Sequence, residues 1–198
     1  MCTQRSAVRK INTIFNHNGF DLGGALTRND IVTEIAGKDA LVNLNGLYLA
    51  SARQHIDNHT NIIHTVGPST STEEYRGIIS GDSQCVFNGR VFVAKGADGT
   101  DSNQYNHNLL LSERAEIDTK PELEIYADDV KCAHGSSTGE LDQETLFYMR
   151  SRGLDLIGAK SLLIRGFIAD LIDNISHEEI KKYLYEEFDN WLNENHKT

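Results

Sequence analysis

Short runs of apolar residues alternating with polar ones fill the chain between Leu26 and Leu141. Alternation with a period of two is typical of β-strands that bury one face and expose the other. Gly, Asn, Asp and Ser separate the runs, and no amphipathic helix can be drawn between them. The pattern therefore predicts an all-β region over 26–141.

Two Asn-Gly pairs, Asn45-Gly46 and Asn88-Gly89, leave the arrangement of these strands open. An Asn-Gly pair between two strands is the strongest short-range signal for a β-hairpin with a tight turn. The alternative is a β-solenoid, whose short strands pair with the equivalent strands of the next coil. No exact repeat length is visible, so the pattern alone does not choose between the two.

After Gly139 the apolar residues recur at helical spacing. They predict helices over about 142–152 and 156–175, with Gly153 ending the first, and a third helix after Ser176. We therefore divide the chain into three parts. They are a lead-in of residues 1–25, a β core of residues 26–141 and a C-terminal helical region of residues 142–198.

The formal net charge of -10 counts against non-specific nucleic-acid binding, because phosphate neutralisation requires clustered Lys and Arg side chains. Charges interrupt the apolar runs well before they could cross a bilayer, and the first residues lack the apolar stretch of a signal peptide. Three widely spaced cysteines without a C-x-x-C motif argue against a disulfide framework. We expect a soluble cytoplasmic protein with reduced thiols and neither a nucleic-acid nor a membrane partner.

Cys132 and His134 stand two residues apart in the segment ADDVKCAHGSSTG. In a strand, residues at this spacing point to the same face, so the thiol and the imidazole are expected to project together. The spacing is too close for the common structural zinc motif, which needs four ligands in all. Two interpretations are open: two ligands of an incomplete metal site, or a small buried hydrophobe beside a hydrogen-bonded histidine.

A second group of histidines, His55, His59 and His64, could supply the three protein ligands of an open zinc site. On a strand, however, His64 faces the opposite side from His55 and His59, which favours a polar ladder along the sheet. Cys85 lies among strand residues and is predicted to be part of the core.

The segment LFYMRSRG, residues 146–153, carries two aromatic and two arginine side chains within one and a half helical turns. They are Phe147, Tyr148, Arg150 and Arg152. Aromatic and arginine side chains are enriched at protein interfaces. The pattern indicates a docking surface, although core packing would account for some of the same residues.

Several sequence motifs occur in a fixed order along the chain: NGLYLA, QHIDNHT, FNGRVFVA, NQYNHNLLLSERAEIDTKPELEIY, ADDVKCAHG and LFYMRSRG. Together they resemble the SufB/SufD family of iron–sulfur cluster assembly proteins, over a region from about Ala7 to Ile175. The last two motifs look like those of the SufD branch of that family. The ordered series, rather than any single motif, carries the resemblance.

The resemblance implies a right-handed parallel β-helix followed by a small helical domain. The Asn-Gly pairs would then be corners between strands of one coil, where residues that tolerate positive φ are needed. It further implies a scaffold role without catalysis, in a complex where the β-helix pairs with SufB and the C-terminal helices dock the ATPase SufC. The chain has no phosphate-binding G-x-x-x-x-G-K-[ST] motif, which agrees with ATP chemistry in a separate subunit.

For individual residues, the resemblance implies that His134 and Cys132 transiently bind iron or a nascent iron–sulfur cluster at the interface with SufB, with His134 the stronger candidate. No cofactor is expected to stay bound to the isolated chain. The expected ATPase-docking residues are Phe147, Tyr148, Arg150, Arg152 and Gly153. Family members carry an additional N-terminal region ahead of the β-helix, which makes a fragment one interpretation of this chain.

Two other functions remain open from the sequence. A purely structural adaptor would hold SufB and SufC in place without contacting the cluster. A solenoid hydrolase or transferase would need converging acids or a nucleophile beside its base, and the sequence shows neither set. The sequence also leaves open the cluster type, flavin binding to the complex, and whether the isolated chain is a monomer or a homodimer.

Overall fold

Ten strands precede three helices in the computed structural model, which describes residues 2–195. The strands are β1 Cys2–Arg9, β2 Ile14–Asp21, β3 Leu26–Ile35, β4 Ala40–Ala50, β5 His55–His64, β6 Ser69–Ile79, β7 Gln84–Val93, β8 Asp101–Leu110, β9 Glu116–Ile125 and β10 Lys131–Gly139. All pairs are parallel, in two sheets ordered β1-β3-β5-β7-β9 and β2-β4-β6-β8-β10. The chain alternates between the sheets and forms a β-solenoid. The solenoid prediction is confirmed, and the hairpin interpretation is wrong.

Consecutive coils of the solenoid differ in length. In the even-numbered sheet, the in-register positions Ile14, Leu41, Thr70, Asp101 and Lys131 follow one another at offsets of 27, 29, 31 and 30 residues. The strands nevertheless stay in register, because the corner loops absorb the differences. Since the offset changes at every coil, the sequence has no exact repeat.

The two Asn-Gly pairs lie inside strands, so the prediction that they form corners is wrong. Asn45 and Gly46 belong to β4, and Asn88 and Gly89 belong to β7. Neither glycine has a positive φ; each instead makes room for a neighbouring side chain. A Cβ on Gly46 would lie 2.1 Å from the ring of Tyr75. Positive-φ residues that occupy the corners between strands are Asn12, Gly24, Asp39, Ala52, Gly81, Gly96 and Gly99.

We predict that Gly46→Ala lowers the free energy of unfolding by about 1–3 kcal/mol, because the added methyl group displaces the packed ring of Tyr75. Urea unfolding of the purified chain measures the change. Gly139→Ala is the control, since a Cβ there would meet nothing within 4 Å outside its chain neighbours. Equal stabilities of the two variants would contradict this role of Gly46.

Three helices follow the solenoid, as the apolar spacing predicts. They are α1 Gln143–Ser151, α2 Leu156–Asp173 and α3 Glu178–Asn195. The carboxylate of Asp142 accepts hydrogen bonds from the backbone N–H groups of Glu144 and Thr145, and so caps α1. Gly153 follows α1 with a φ of 99°, the left-handed conformation that commonly ends a helix. Within residues 2–195, no helix combines the length and apolarity needed to span a membrane.

The helices share a core with the outer face of the even-numbered sheet. Buried residues of β4, β6 and β8 meet buried residues of α2 and α3 in one cluster. The sheet contributes Leu47, Leu49, Ile78 and Leu109, and the helices contribute residues such as Ile164, Ile168, Phe188 and Trp191. Burial of this apolar surface holds the helical region against the solenoid.

Arg76 of β6 adds polar contacts across the same boundary. Its guanidinium group donates a hydrogen bond to the backbone carbonyl of Phe167 in α2 and lies 5.7 Å from the centre of that ring. The same group pairs with Glu74 on its own strand and lies 3.6 Å from the carboxylate of Asp170 in α2. These contacts connect α2 to the sheet that contains β10.

Residues 1–25, set apart above as a lead-in, contain β1 and β2. Both strands pair in parallel register with the next coil, β1 with β3 and β2 with β4. These two strands are therefore continuous with the solenoid.

Candidate functional site

The solenoid ends at β9 and β10, which are the last strands of their sheets. Within residues 2–195, β9 pairs only with β7, and β10 pairs only with β8. Each strand therefore keeps one row of backbone N–H and C=O groups without a strand partner, which is a template for pairing with another chain. We call β9, β10 and the side chains between them the open end.

Cys132 and His134 lie on the interior-facing side of β10. They stand in register with Ser102 and Gln104 of β8, both of which are fully buried. Side chains at in-register positions of parallel strands point the same way, with neighbouring strands about 4.8 Å apart. Because no further coil covers β10 in the described chain, Cys132 is only half-buried and His134 is exposed. The open end thus presents a thiol and an imidazole side by side.

On the even-numbered sheet, two interior columns become more polar from β4 towards the open end. Two columns of stacked side chains run through β4, β6, β8 and β10 beneath the candidate ligands. The columns are Val42–Ser71–Ser102–Cys132 and Leu44–Glu73–Gln104–His134. All members below β10 are fully buried. Polar side chains are rarely buried in a solenoid core without a partner or a function, so these columns belong to the description of the site.

Ser71 and Ser102, beneath Cys132, belong to a chain of hydrogen bonds that includes His64. The Nε2 atom of His64 lies 2.9 Å from the hydroxyl oxygen of Ser71, which lies 2.8 Å from that of Ser102. The other ring nitrogen of His64 lies 2.8 Å from the hydroxyl of Ser69. Burial lowers the pKa of His64 to about 4, so the ring is neutral at pH 7. Both ring nitrogens have a hydroxyl group within hydrogen-bond distance.

The thiol of Cys132 is not pre-activated in this chain. Partial burial raises its pKa above the ordinary value, and the nearby carboxylate of Asp101 acts in the same direction, against a hydrogen bond from the backbone of Ser102. The thiol is therefore protonated at neutral pH. Since the thiolate is the form that binds iron, Cys132 must lose its proton when a metal ion or cluster arrives.

The column beneath His134 contains a fully buried carboxyl group. The Nε2 atom of Gln104 donates a hydrogen bond of 2.6 Å to Glu73. Burial raises the pKa of Glu73 to about 7, and hydrogen bonding opposes that shift only in part. Within residues 2–195, no cationic side chain pairs with Glu73, and Oε1 of Gln104 has no hydrogen-bond partner.

Glu73 should make stability depend on pH. Its folded pKa of about 7 exceeds the ordinary value of 4.5, so the folded state binds more protons between these pH values. The stability that protonated Glu73 contributes is complete below pH 4.5 and is lost as pH rises to 7. Glu73→Gln should therefore gain stability relative to wild type across this window, by up to about 3 kcal/mol.

Urea unfolding of both proteins at several pH values between 4 and 8 measures this difference. The opposite contribution of His64 is common to both proteins and cancels in the comparison. A difference that does not change with pH would contradict a raised pKa of Glu73.

No complete metal site is present in the described chain. Among residues 2–195, no group of three or more His, Cys, Asp or Glu side chains is placed to hold an ion. His55 and His59 lie outward on β5, with the Nε2 atom of His59 2.7 Å from the carboxylate of Asp57, whereas His64 points inward. Cys85 is buried in the core, as predicted. Any ion at Cys132 and His134 would need further ligands from another molecule.

The predicted docking residues of α1 lie at the surface. Phe147 is 75% exposed and Tyr148 is 57% exposed. The guanidinium group of Arg152 lies 5.2 Å from the centre of the Tyr148 ring and donates a hydrogen bond of 3.2 Å to its hydroxyl. Arg150 and Gly153 are also exposed. Packing within the chain therefore does not account for these aromatic side chains.

Sequence reasoning missed three apolar residues that extend this surface. They are Leu154, Leu156 and Ile157, at the turn between α1 and α2, and all three are exposed. With Phe147 and Tyr148 they form what we call the α1–α2 patch. Phe147, Leu154 and Leu156 line one surface depression together with Arg150, and clustered exposed apolar side chains commonly mark an interaction site. In the sequence, these residues have the same helical spacing as buried apolar residues. Only the structure shows that they are exposed.

Comparison with known proteins identifies the family. Residues 1–167 match the family model described as SUF system FeS cluster assembly, SufBD core domain. The chain belongs to the SufBD family. The resemblance seen in the sequence is thereby confirmed. The matched region of this SufBD protein contains the open end, α1 and the turn to α2.

Three relatives illustrate how the chain compares with whole SufBD proteins. It is 39% identical to the iron–sulfur cluster assembly protein SufD of Escherichia coli over 170 residues, which are 86% of this chain and 40% of that protein. It is 36% identical to protein ABCI7, chloroplastic, of Arabidopsis thaliana over 160 residues, which are 80% of this chain and 34% of that protein. SufD of Bacillus subtilis is 34% identical over 125 residues, which are 63% of this chain and 29% of that protein. The chain thus spans two-fifths or less of the length of these relatives.

Proposed function

We propose that this SufBD protein is a non-catalytic scaffold subunit for iron–sulfur cluster assembly. Its open end pairs with a SufB-like subunit, and its α1–α2 patch docks a SufC-like ATPase. The observation that carries the proposal is the exposure of Cys132 and His134 at interior-facing positions of the last coil. The in-register side chains of β4, β6 and β8 beneath them are fully buried, so a second solenoid end would complete their surroundings.

The open end suits a partner of the same architecture. A strand that pairs with the free edge of β10 would use its unpaired backbone groups, as β8 does on the other side. The partner would also cover the interior side chains of the last coil. This arrangement supports an interface between two solenoids, with the candidate ligands at its centre.

Iron–sulfur chemistry fits the ligand types at this interface. Thiolate is the usual ligand of iron–sulfur clusters, and imidazole replaces it on iron in some of them. Cys132 and His134 supply one of each, and the described chain offers no third ligand. The cluster is the cargo of the complex, and an incomplete ligand set in each subunit allows the cluster to leave when the interface opens.

The helical region provides a route from a docked ATPase to this interface. The ATPase would contact the α1–α2 patch and the neighbouring Arg150 and Arg152, since aromatic and arginine side chains are typical of interface hot spots. α2 is packed on the even-numbered sheet through the shared core and Arg76, and β10 belongs to that sheet. Movement of the docked ATPase would therefore be transmitted to the open end, where iron enters.

The experiment is anaerobic reconstitution of the chain with SufB-like and SufC-like subunits, followed by iron and sulfide analysis. We expect a three-protein complex that forms a cluster, and loss of cluster formation in the double variant Cys132→Ala, His134→Ala. Assembly of the complex should be unaffected by the double variant. A full cluster yield in the double variant would contradict the proposal and identify a purely structural adaptor.

A further inference from the structure

Gln104 occupies an unusual position directly beneath His134. It is fully buried on β8, in register with His134 on one side and with Glu73 on the other. Its Nε2 atom donates a hydrogen bond of 2.6 Å to the carboxyl group of Glu73. Its Oε1 atom has no hydrogen-bond partner among residues 2–195. A buried amide oxygen in this state is an acceptor available to a neighbouring donor.

The orientation of the Gln104 amide follows from the groups around it. The amide nitrogen faces Glu73 and donates a hydrogen bond to its carboxyl oxygen. The nitrogen and oxygen of an amide diverge from a common carbon, and Oε1 is therefore directed away from that contact. Glu73 accepts this bond in either protonation state, because a protonated carboxyl group keeps its carbonyl oxygen.

Gly89 of β7 is part of the same arrangement. A Cβ at Gly89 would lie 2.3 Å from the Nε2 atom of Gln104. Since φ of Gly89 is not positive, the glycine is needed for space and not for backbone conformation. The opposite sheet thus leaves a gap that the Gln104 amide fills.

We propose that Gln104 is a positioning residue for His134: when iron binds, the ring of His134 turns its N–H to the free Oε1 atom of Gln104, and its other ring nitrogen binds the iron. This inference rests on the proposed function, because it assigns a role in metal binding to His134. Histidine ligands of metals almost always donate their second ring N–H to an oxygen acceptor, which fixes the tautomer and the ring orientation. Glu73 anchors the acceptor, and Gly89 makes room for it.

The test measures Fe²⁺ affinity of the anaerobic three-protein complex by competition with a coloured chelator. Gln104→Met, which keeps the length of the side chain but removes the acceptor, should lower the affinity about 10- to 100-fold, as for other partners of metal ligands. Gly89→Ala displaces the amide from the opposite sheet and should lower the affinity as well. It serves as the second variant if Gln104→Met is not stable.

Three further variants separate positioning from general effects. Glu73→Gln keeps an oxygen that accepts from Gln104, so its complex should bind Fe²⁺ like wild type, whereas Glu73→Leu should not. Ser102→Ala removes a buried hydroxyl group from the same strand in the other column, and its Fe²⁺ affinity should fall by less than that of Gln104→Met. Equal losses in Glu73→Gln and Glu73→Leu would overturn the anchoring role of Glu73.

His134→Ala distinguishes failure of this inference from failure of the proposed function. If His134→Ala abolishes Fe²⁺ binding while Gln104→Met and Gly89→Ala bind like wild type, the positioning role of Gln104 is overturned and the proposed function stands. If His134→Ala itself binds Fe²⁺ like wild type, the proposed function is overturned.

Discussion

His134→Ala is expected to reduce iron–sulfur cluster yield in the three-protein complex by at least about tenfold, since loss of a ligand should cost no less than loss of a partner behind it. The imidazole is exposed at the open end, so its removal creates no cavity in the core. Folding and assembly of the complex should be unchanged. Iron and labile sulfide per complex, measured after anaerobic reconstitution, report the effect.

His107→Ala is the matched control for this prediction. His107 lies on the neighbouring strand β8 but on the outer face, where its Nδ1 atom is 2.8 Å from the hydroxyl of Ser137 in β10. Its loss removes an imidazole close to the open end without touching the interior columns. Equal cluster yields in the two variants, whether both high or both low, would contradict a specific role of His134.

Phe147→Ala should weaken binding of the SufC-like ATPase by about 30-fold or more, the equivalent of the 2 kcal/mol that defines an interface hot spot. Phe147 is the most exposed aromatic side chain of the α1–α2 patch, so truncation should leave the fold intact. Titration of the ATPase against the chain, followed by calorimetry or light scattering, measures the affinity. Tyr148→Ala should weaken binding in the same direction.

Tyr183→Ala provides the comparison on α3. Tyr183 is 56% exposed, almost the same as Tyr148, but it lies outside the matched family region and outside the α1–α2 patch. Its truncation should leave ATPase binding unchanged. A larger loss in Tyr183→Ala than in Phe147→Ala would place the docking surface on α3 instead.

The fold illustrates why local patterns identified elements but not their arrangement. Alternation predicted strands, and helical spacing predicted three helices, because both depend on which residues face a core. Asn45-Gly46 was wrongly interpreted as a corner because the glycine has another reason to be there. Gly46 leaves space for the ring of Tyr75 in the next coil, and a local pattern does not contain that contact. The unequal offsets between coils hid the repeat, so the solenoid was recognised from family resemblance rather than from period.

The candidate site was predictable only at the level of neighbouring residues. The spacing of Cys132 and His134 placed both on one side of a strand. Their position at an uncovered end depends on register with Ser102 and Gln104, some thirty residues away, which no local pattern contains. The burial of Glu73 also depends on register with distant strands, and in the sequence Glu73 looks like a solvated strand residue. Exposure of Phe147 likewise depends on which helical face meets the sheet.

Hydrogen exchange of the chain with and without the SufB-like subunit tests the central claim most directly. Backbone amides of β9 and β10 without a strand partner should exchange rapidly in the isolated chain and become protected in the complex, together with those around Cys132 and His134. Amides of β5, which is paired with β3 on one side and β7 on the other, should not change. Protection of other surfaces, with β9 and β10 exchanging as fast as before, would contradict pairing through the open end.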